Sequence, residues 1–138
     1  MGEYAELIEK ALGMMQRAYA PYSGFSVGAA VLAASGETYG GANVENASYG
    51  ATVCAERNAI AAAVNAGERR LVAIAICGGK DGRATDFCPP CGICRQVMRE
   101  FGVPSEFKVV LARSREDFRV FALEELLPLG FGPESLMV

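Results

Sequence analysis

The spacing of apolar residues along the chain predicts alternating helices and strands. At the start, apolar side chains recur at steps of three and four through residues 3–19, the pattern of an amphipathic helix, and Pro21 ends it. Two apolar segments follow, at 25–34 and 38–44, and Ser35-Gly36-Glu37 between them has the composition of a tight turn. The first third of the chain is therefore predicted to be a helix followed by a β-hairpin.

The rest of the chain keeps the same alternation. The alanine-rich segment 54–65 favours a helix, and Ala66-Gly67 closes it. The later predicted elements are, in order, a central strand at 71–77, a helix at 91–101, a strand at 108–112, a short strand at 118–121 and a short helix at 123–127. Strands and helices that alternate across 71–112 imply some parallel pairing with right-handed crossovers. We therefore predict an α/β protein of one domain, residues 1–138, whose sheet carries helices on both faces.

Composition and charge narrow the class of partner. The formal net charge is −3, so the chain lacks the basic field that binds long or duplex nucleic acid. No apolar run approaches the roughly 20 residues that cross a bilayer, and we expect no membrane partner. The N-terminal segment MGEYAELIEK is acidic and amphipathic, unlike a signal peptide, which favours a cytoplasmic protein.

The hydrophobic content of 51% is high for a chain with this much surface. One explanation is simply an alanine-rich core. We favour the other explanation, in which part of the apolar surface is buried between identical subunits.

The cysteines and the lack of histidine restrict the chemistry. The chain has five cysteines, which is an odd number, and two of them form a Cys-x-x-Cys pair. Both features favour metal binding or redox chemistry over a disulfide framework. The chain has no histidine, so a histidine-based triad and a histidine-ligated metal site are both excluded. Any proton transfer must then use a carboxylate, a tyrosine, a lysine or a thiol.

Two short motifs supply three candidate metal ligands. Cys54 begins one predicted helix, and Cys91 and Cys94 occupy the first turn of another, after Pro89-Pro90. Three thiolates suit zinc and leave its fourth tetrahedral position open for water, whose pKa zinc lowers towards neutrality. An open position indicates a catalytic rather than a structural site. The two helix N-termini would both direct positive partial charge at the metal.

Two residues beside Cys54 are candidates for the chemistry. Glu56 is predicted to shuttle protons rather than to close the metal site as a fourth ligand. This role requires Cys54 to lie at the very end of its helix, since residues two apart within a helix point to different sides. Arg57 is predicted to offset part of the negative charge that three thiolates bring.

Other uses of these cysteines remain open. Cys-x-x-Cys also occurs in structural zinc sites and in dithiol redox proteins, and both are alternatives here. Cys88 is close enough in sequence to be a rival metal ligand, although two prolines separate it from Cys91. Cys77 is predicted to be a buried strand residue.

Cys-x-Glu followed by Pro-Cys-x-x-Cys is the signature of zinc-dependent nucleobase deaminases. Over nearly its whole length the chain resembles the small cytidine deaminases, of the homotetrameric type with three cysteine ligands. The stretches that carry this resemblance are Ala20-Pro21-Tyr22-Ser23, Phe25, Val27-Gly28-Ala29-Ala30, Asn43-Val44-Glu45-Asn46-Ala47-Ser48-Tyr49, Cys54-Ala55-Glu56-Arg57, Pro90-Cys91-Gly92-Ile93-Cys94-Arg95-Gln96 and Glu125-Leu126-Leu127-Pro128.

The resemblance implies a three-layer α/β/α sandwich around a mixed five-stranded sheet. It implies hydrolytic deamination of cytidine and 2′-deoxycytidine to uridine and 2′-deoxyuridine, with release of ammonia, in pyrimidine salvage. One Zn²⁺ per chain would be held by Cys54, Cys91 and Cys94. Glu56 would protonate N3 of the ring and then the departing amine.

The resemblance also implies the substrate contacts. Asn43 and Glu45 would hold the ribose hydroxyls, and two residues apart at a strand end they would face the same way. Phe25 would contact the pyrimidine, and the Ala55 backbone would contact the base.

The resemblance extends to three further positions. Tyr49 and Phe131 resemble residues that reach a neighbouring subunit's pocket, which implies a homotetramer with active sites at subunit interfaces. Pro89 departs from the small hydroxyl residue that many relatives have before Pro-Cys. If that position acts through its carbonyl near the leaving amine, proline preserves the function; if the hydroxyl matters, the substrate range differs.

Other functions compete with this interpretation. Blasticidin S deaminase shares the zinc motif and the size, although the stretch from Asn43 to Tyr49 favours the nucleoside enzyme. A polynucleotide-editing deaminase is disfavoured by the acidic charge and the lack of an added strand-binding surface. A zinc-stabilised binding module without activity would not need Glu56.

Overall fold

Five strands form one mixed sheet in the computed structural model, which describes residues 2–137. The strands are β1 (Phe25–Ala33), β2 (Thr38–Ala42), β3 (Leu71–Lys80), β4 (Lys108–Ala112) and β5 (Phe118–Ala122). The helices are α1 (Ala5–Met14), α2 (Ala55–Asn65), α3 (Gly92–Phe101) and the single turn α4 (Leu123–Leu126). Short 3₁₀ turns lie at Met15–Arg17, Tyr49–Ala51 and Pro133–Ser135.

The strand order is β2-β1-β3-β4-β5, so β3 is the central strand, as its apolar sequence predicted. β1 pairs antiparallel with both β2 and β3, and β4 pairs antiparallel with β5. β3 and β4 pair in parallel, with Ile74 opposite Val109, and α3 lies between them in sequence. This is the parallel crossover that the pattern across 71–112 predicted.

Helices cover both faces of the sheet. On one face, α1 and the turn after it bury Leu7, Ile8, Ala11 and Met15 against the small side chains of β1 and β3. On the other face, α2 and α3 pack against the large aliphatic side chains of β3 and β4, including Ile74 and Val109. Truncation of a buried isoleucine such as Ile74 to alanine typically costs about 2–5 kcal/mol, which indicates how strongly this layer supports the helices. The predicted three-layer sandwich around a mixed five-stranded sheet is confirmed.

Two glycines let the helices approach the sheet closely. A Cβ atom on Gly28 in β1 would lie 2.1 Å from the carbonyl oxygen of Ala11 in α1. A Cβ atom on Gly41 in β2 would lie 2.3 Å from the backbone nitrogen of Ala59 and 2.6 Å from the carbonyl oxygen of Ala55. Gly41 therefore sets how near the N-terminal turn of α2 lies to the sheet.

Several predicted boundaries were wrong. The first helix spans less than residues 3–19: it begins at Ala5, and its last turn is a 3₁₀ turn. β2 ends at Ala42 rather than at Val44, because Val44 leaves β1 and pairs with Val53. β3 extends beyond Cys77 to Lys80, because its glycines pair with the start of β1. Tertiary pairing here outweighs the local preference of glycine for loops.

Among residues 2–137, no helix combines the length and the apolar character that a bilayer crossing requires. The predicted domain runs from residue 1 to residue 138, and these two end residues lie outside the described part of the chain.

Candidate active site

Two helix N-termini bring three thiols together. Cys54 is the N-cap residue of α2 and Cys91 is the N-cap residue of α3, both with extended backbone, and Cys94 lies in the first turn of α3. The Sγ atoms of Cys54 and Cys91 are 3.8 Å apart, and those of Cys91 and Cys94 are 3.4 Å apart. All three lie within 4.8 Å of one another. The position of Cys54 at the end of its helix is as the sequence argument required.

The three thiols together fit a zinc ion. Three thiolates at about 2.3 Å from a tetrahedral zinc would be separated by about 3.8 Å, close to the sulfur separations observed. Within residues 2–137, no aspartate or glutamate joins the three cysteines as a further ligand, and the sequence has no histidine to do so. Cys88, the rival ligand, also lies outside the group. Three ligands leave a fourth position for a small molecule, which is typical of a catalytic rather than a structural zinc site.

Arg57 places positive charge beside the thiols. Its guanidinium donates to the Sγ atom of Cys54 over 3.7 Å and to the carbonyl oxygen of Thr52 over 3.3 Å. Hydrogen bonds from the Cys94 thiol and from Arg57 lower the pKa of Cys54, and the bond between the two thiols raises the pKa of Cys94. A lowered pKa favours the thiolate, which is the form that binds metals.

Glu56 lies beside the same thiols in a cavity of about 230 Å³. The cavity is lined by Phe25, Val27, Asn43, Thr52, Cys54, Ala55, Glu56, Cys88, Pro89 and Cys91. The Glu56 side chain is buried, with 5% of the residue exposed, and this burial raises the pKa of its carboxyl to about 7. A carboxyl with such a pKa both accepts and releases protons near neutral pH. A larger cavity of about 440 Å³, which Arg69 and Arg99 help to line, contains none of the thiols.

Asn43 directly follows β2 and lines the same cavity, and its side chain bonds to the first residues of β1. Its Oδ1 atom accepts a hydrogen bond from the backbone nitrogen of Val27, and its Nδ2 atom donates to the carbonyl oxygen of Phe25, each over 2.9 Å. These two bonds fix the orientation of the Asn43 side chain, which is also buried. It lies just beyond the strand end and not within the strand, because β2 stops at Ala42.

Glu45 lies in an adjoining cavity of about 330 Å³, lined by Tyr22, Ser23, Glu45, Asn46, Tyr49 and Thr52. Its carboxylate accepts hydrogen bonds from the backbone nitrogens of Tyr22 and Ser23, over 2.9 and 3.2 Å, and from the Ser23 hydroxyl over 2.5 Å. The Ser23 hydroxyl and these amides lower the pKa of Glu45, which keeps it ionised. Thr52 lines both cavities, so the space beside the thiols borders directly on the space beside Glu45.

The other candidate residues divide between the two cavities, except for Phe131, which lines neither. Phe25, Ala55 and Pro89 line the cavity beside the thiols. Tyr49 lines the adjoining cavity, is 78% exposed, and has its ring centroid 6.3 Å from that of Tyr22. Phe131 is 56% exposed and lines neither cavity.

The sequence did not predict Val27 or Thr52 as cavity residues, and Cys88 was considered only as a rival metal ligand. A usable signal existed for the first two. Val27 lies two residues after Phe25 on a strand, and Thr52 two residues before Cys54 in extended chain, so each shares a side with a residue already predicted. Cys88 gave no such signal, because its position depends on how the loop before α3 folds. That loop is held at Phe87, whose ring centroid lies 4.3 Å from the guanidinium carbon of each of Arg113 and Arg119.

Comparison with known proteins agrees with this site. Residues 1–111 match the family model described as the cytidine and deoxycytidylate deaminase zinc-binding region. A cytidine deaminase of Halalkalibacterium halodurans is 45% identical over 130 residues, which cover 94% of this chain and 95% of that protein. A cytidine deaminase of Sporosarcina psychrophila is 40% identical over 131 residues, covering 95% and 93%.

Solved structures agree as well. The cytidine deaminase of Burkholderia pseudomallei superposes with a TM-score of 0.83 at 45% identity, covering 95% of this chain and all of that one. The cytidine deaminase of Mycobacterium tuberculosis superposes with a TM-score of 0.79 at 38% identity, covering 96% of this chain and all of the other. With the family model matched across the segment that holds all three thiols, this chain belongs to the zinc-dependent cytidine and deoxycytidylate deaminase family.

Proposed function

We propose that this chain catalyses the hydrolytic deamination of cytidine and 2′-deoxycytidine to uridine and 2′-deoxyuridine, with release of ammonia, in pyrimidine salvage. One observation carries the proposal: of three thiols arranged for one metal ion, Cys54 and Cys91 line a cavity with a buried glutamate that is not part of the metal group. A structural zinc site would not need that carboxyl group, and a dithiol redox site would not need the third thiol.

Cys54, Cys91 and Cys94 would hold the zinc ion. When bound, zinc supplies a Lewis acid that lowers the pKa of a water molecule towards neutrality. Arg57 and the N-terminal ends of α2 and α3 would offset the negative charge of the three thiolates.

Glu56 would move the protons of the reaction. Its carboxylate would take a proton from the attacking water and deliver it to N3 of the pyrimidine. It would then take the proton of the hydroxyl group now on C4 and deliver it to the amine, which departs as ammonia while the C4 carbonyl forms. The burial of Glu56 limits the access of bulk water to this path and raises its pKa to about 7. A positioned acid–base group of this kind contributes about 10²–10⁴-fold to a rate.

Phe25, the Ala55 backbone and Pro89 would contact the pyrimidine ring, because they line the cavity that contains Glu56. The Pro89 carbonyl is assigned to the leaving amine, a role that needs no side-chain hydroxyl. The sugar would extend past Thr52 into the adjoining cavity.

Asn43 and Glu45 would hold the ribose hydroxyls through hydrogen-bonding sites that are not already used within the protein. Asn43 uses one acceptor lone pair and one amide hydrogen on β1, and so retains one acceptor site and one donor. Glu45 accepts three hydrogen bonds, and a carboxylate offers about four acceptor sites, so about one remains for a hydroxyl.

The assembly and the location belong to the same proposal. We propose that residues 1–138 act as one deaminase domain in a homotetramer, with Tyr49 and Phe131 reaching the pocket of a neighbouring subunit. Their exposure of 78% and 56% supports this, since large aromatic side chains are commonly covered in an assembly. A cytoplasmic location is supported by five free cysteines, which reducing conditions maintain.

A substrate panel on metal-replete protein tests the proposed function. The panel contains cytidine, 2′-deoxycytidine, deoxycytidine monophosphate, blasticidin S and single-stranded oligodeoxynucleotide, and turnover is followed by ammonia release. We expect about one zinc per chain, as three ligands for one ion require, and turnover of the two nucleosides. Full zinc content without turnover of either nucleoside would defeat the proposal. Preference for blasticidin S over the two nucleosides would identify the activity as that of a blasticidin S deaminase.

A further inference from the structure

Helix α3 carries an arginine one turn after Cys91 that bonds back to the start of the metal-binding segment. The Nε atom of Arg95 donates to the carbonyl oxygen of Pro90 over 2.7 Å. One terminal nitrogen of the same guanidinium donates to the carbonyl oxygen of Leu126, also over 2.7 Å. Arg95 is half-buried, and Pro90 is among the fully buried residues.

The bond to Pro90 acts on the geometry of Cys91. The carbonyl of Pro90 and the nitrogen of Cys91 belong to one planar peptide unit, so a hydrogen bond to that carbonyl fixes the orientation of the plane. The direction in which the Cys91 side chain leaves the backbone depends on that plane. Cys91 is also the N-cap residue of α3, where the chain turns from extended to helical.

The bond to Leu126 ties this corner to a distant part of the chain. Leu126 is the last residue of α4, and its carbonyl is one of those that a helix end leaves without an intrahelical partner. The guanidinium is planar with its donors in a fixed fork, so it holds the Pro90 and Leu126 carbonyls in one geometry. Through Arg95, the carbonyl of Pro90, the residue before Cys91, is thereby tied to the end of α4, which follows β5.

We propose that Arg95 is a positioning residue for the metal site, and this inference rests on the proposed function only in taking the three thiols as the zinc ligands. Arg95 touches neither the sulfur atoms nor the cavity. It acts through the Pro90–Cys91 peptide, which it holds at the angle that directs the Cys91 thiol towards Cys54 and Cys94.

The substitution Arg95→Lys tests the fork, because lysine keeps the charge and the aliphatic stem but presents a single ammonium group. Arg95→Met, which keeps the stem and removes every donor, is the second variant. Arg99→Lys is the matched control: it lies one turn further along α3, and its guanidinium pairs with the exposed Glu134 carboxylate rather than with the metal-binding segment.

Two readouts report on the site without catalysis. Zinc affinity is measured by competition with a chromogenic chelator on the full chain, and the absorption bands of the Co²⁺-loaded protein report the ligand geometry. We expect Arg95→Lys and Arg95→Met to weaken zinc binding by about tenfold or more and to shift the cobalt bands, as loss of an outer-shell support does. Arg99→Lys should match the wild type in both.

Zinc affinity within twofold of the wild type in a folded Arg95 variant would overturn the proposal. So would failure of both variants to fold with zinc present, since Arg95 would then be a general structural residue. Equal weakening by Arg99→Lys would do the same. The proposed function fails separately, through lack of nucleoside turnover by wild-type protein that binds zinc normally.

Discussion

The Sγ atoms of Cys54 and Cys91 lie 3.8 Å apart although 37 positions separate the two residues in sequence. The separation is small because each cysteine is the N-cap residue of its helix and both helices begin at the same side of the sheet. Their positive N-terminal ends meet at the thiols, and Arg57 adds a full charge there. The fold thus concentrates positive charge where three thiolates must be held together.

Removal of the Glu56 carboxylate should separate metal binding from catalysis. Glu56→Gln keeps the size of the side chain but cannot carry a proton between water and substrate. We expect about one zinc per chain and a kcat for cytidine that is lower by about 10²–10⁴-fold. Zinc content by metal analysis and initial rates of ammonia release check this. Glu100→Gln, an exposed position on α3, is the control, and near-normal turnover by Glu56→Gln would remove Glu56 from the mechanism.

The cysteines should divide into ligands and bystanders. Cys94→Ser removes one of three thiols and should release the zinc and abolish turnover, because the remaining two thiols cannot hold the ion tightly. Cys88→Ser should retain about one zinc per chain, since Cys88 lines the cavity but lies outside the metal group. Both are measured by metal analysis after dialysis. Zinc loss in Cys88→Ser would show that Cys88 is a ligand after all.

The Cys-x-x-Cys part of the zinc motif could be predicted from the sequence because its spacing is local. Cys91 and Cys94 are three apart at a helix start, so short-range geometry is enough to pair them. That Cys54 joins them across 37 positions followed from the resemblance to the deaminase signature. The central position of β3 followed from its unbroken apolar run. Contacts between distant segments were not predictable in this way. The guanidinium of Arg95 reaches Leu126 across 31 positions, and the end of β2 depends on the pairing of Val44 with Val53.

Gly41 should prove essential to the placement of α2. A methyl group there would lie 2.3 Å from the backbone nitrogen of Ala59, and neither backbone can give way cheaply. We expect Gly41→Ala to lower the free energy of unfolding by about 1–3 kcal/mol, the range for overpacked cores, and to reduce zinc affinity by moving Cys54. Urea denaturation and chelator competition measure the two effects. Gly50→Ala is the matched control, because no atom lies within 4 Å of its Cβ position. Equal effects of the two substitutions would contradict this account.

Glu45 should matter mainly to substrates that have a 2′- or 3′-hydroxyl on the sugar. Its carboxylate is ionised and retains about one free acceptor site, which we assign to the ribose. Glu45→Gln removes the charge, and a hydrogen bond to a charged group is worth about 1.5–3 kcal/mol, so kcat/KM for cytidine should fall by about 10–150-fold. The same substitution should change kcat/KM for 2′,3′-dideoxycytidine far less, because that analogue lacks both the 2′- and the 3′-hydroxyl that Glu45 is assigned to bind. Comparable losses with both substrates would mean that Glu45 acts by supporting the Tyr22–Ser23 turn, and its assignment to the ribose would then be wrong.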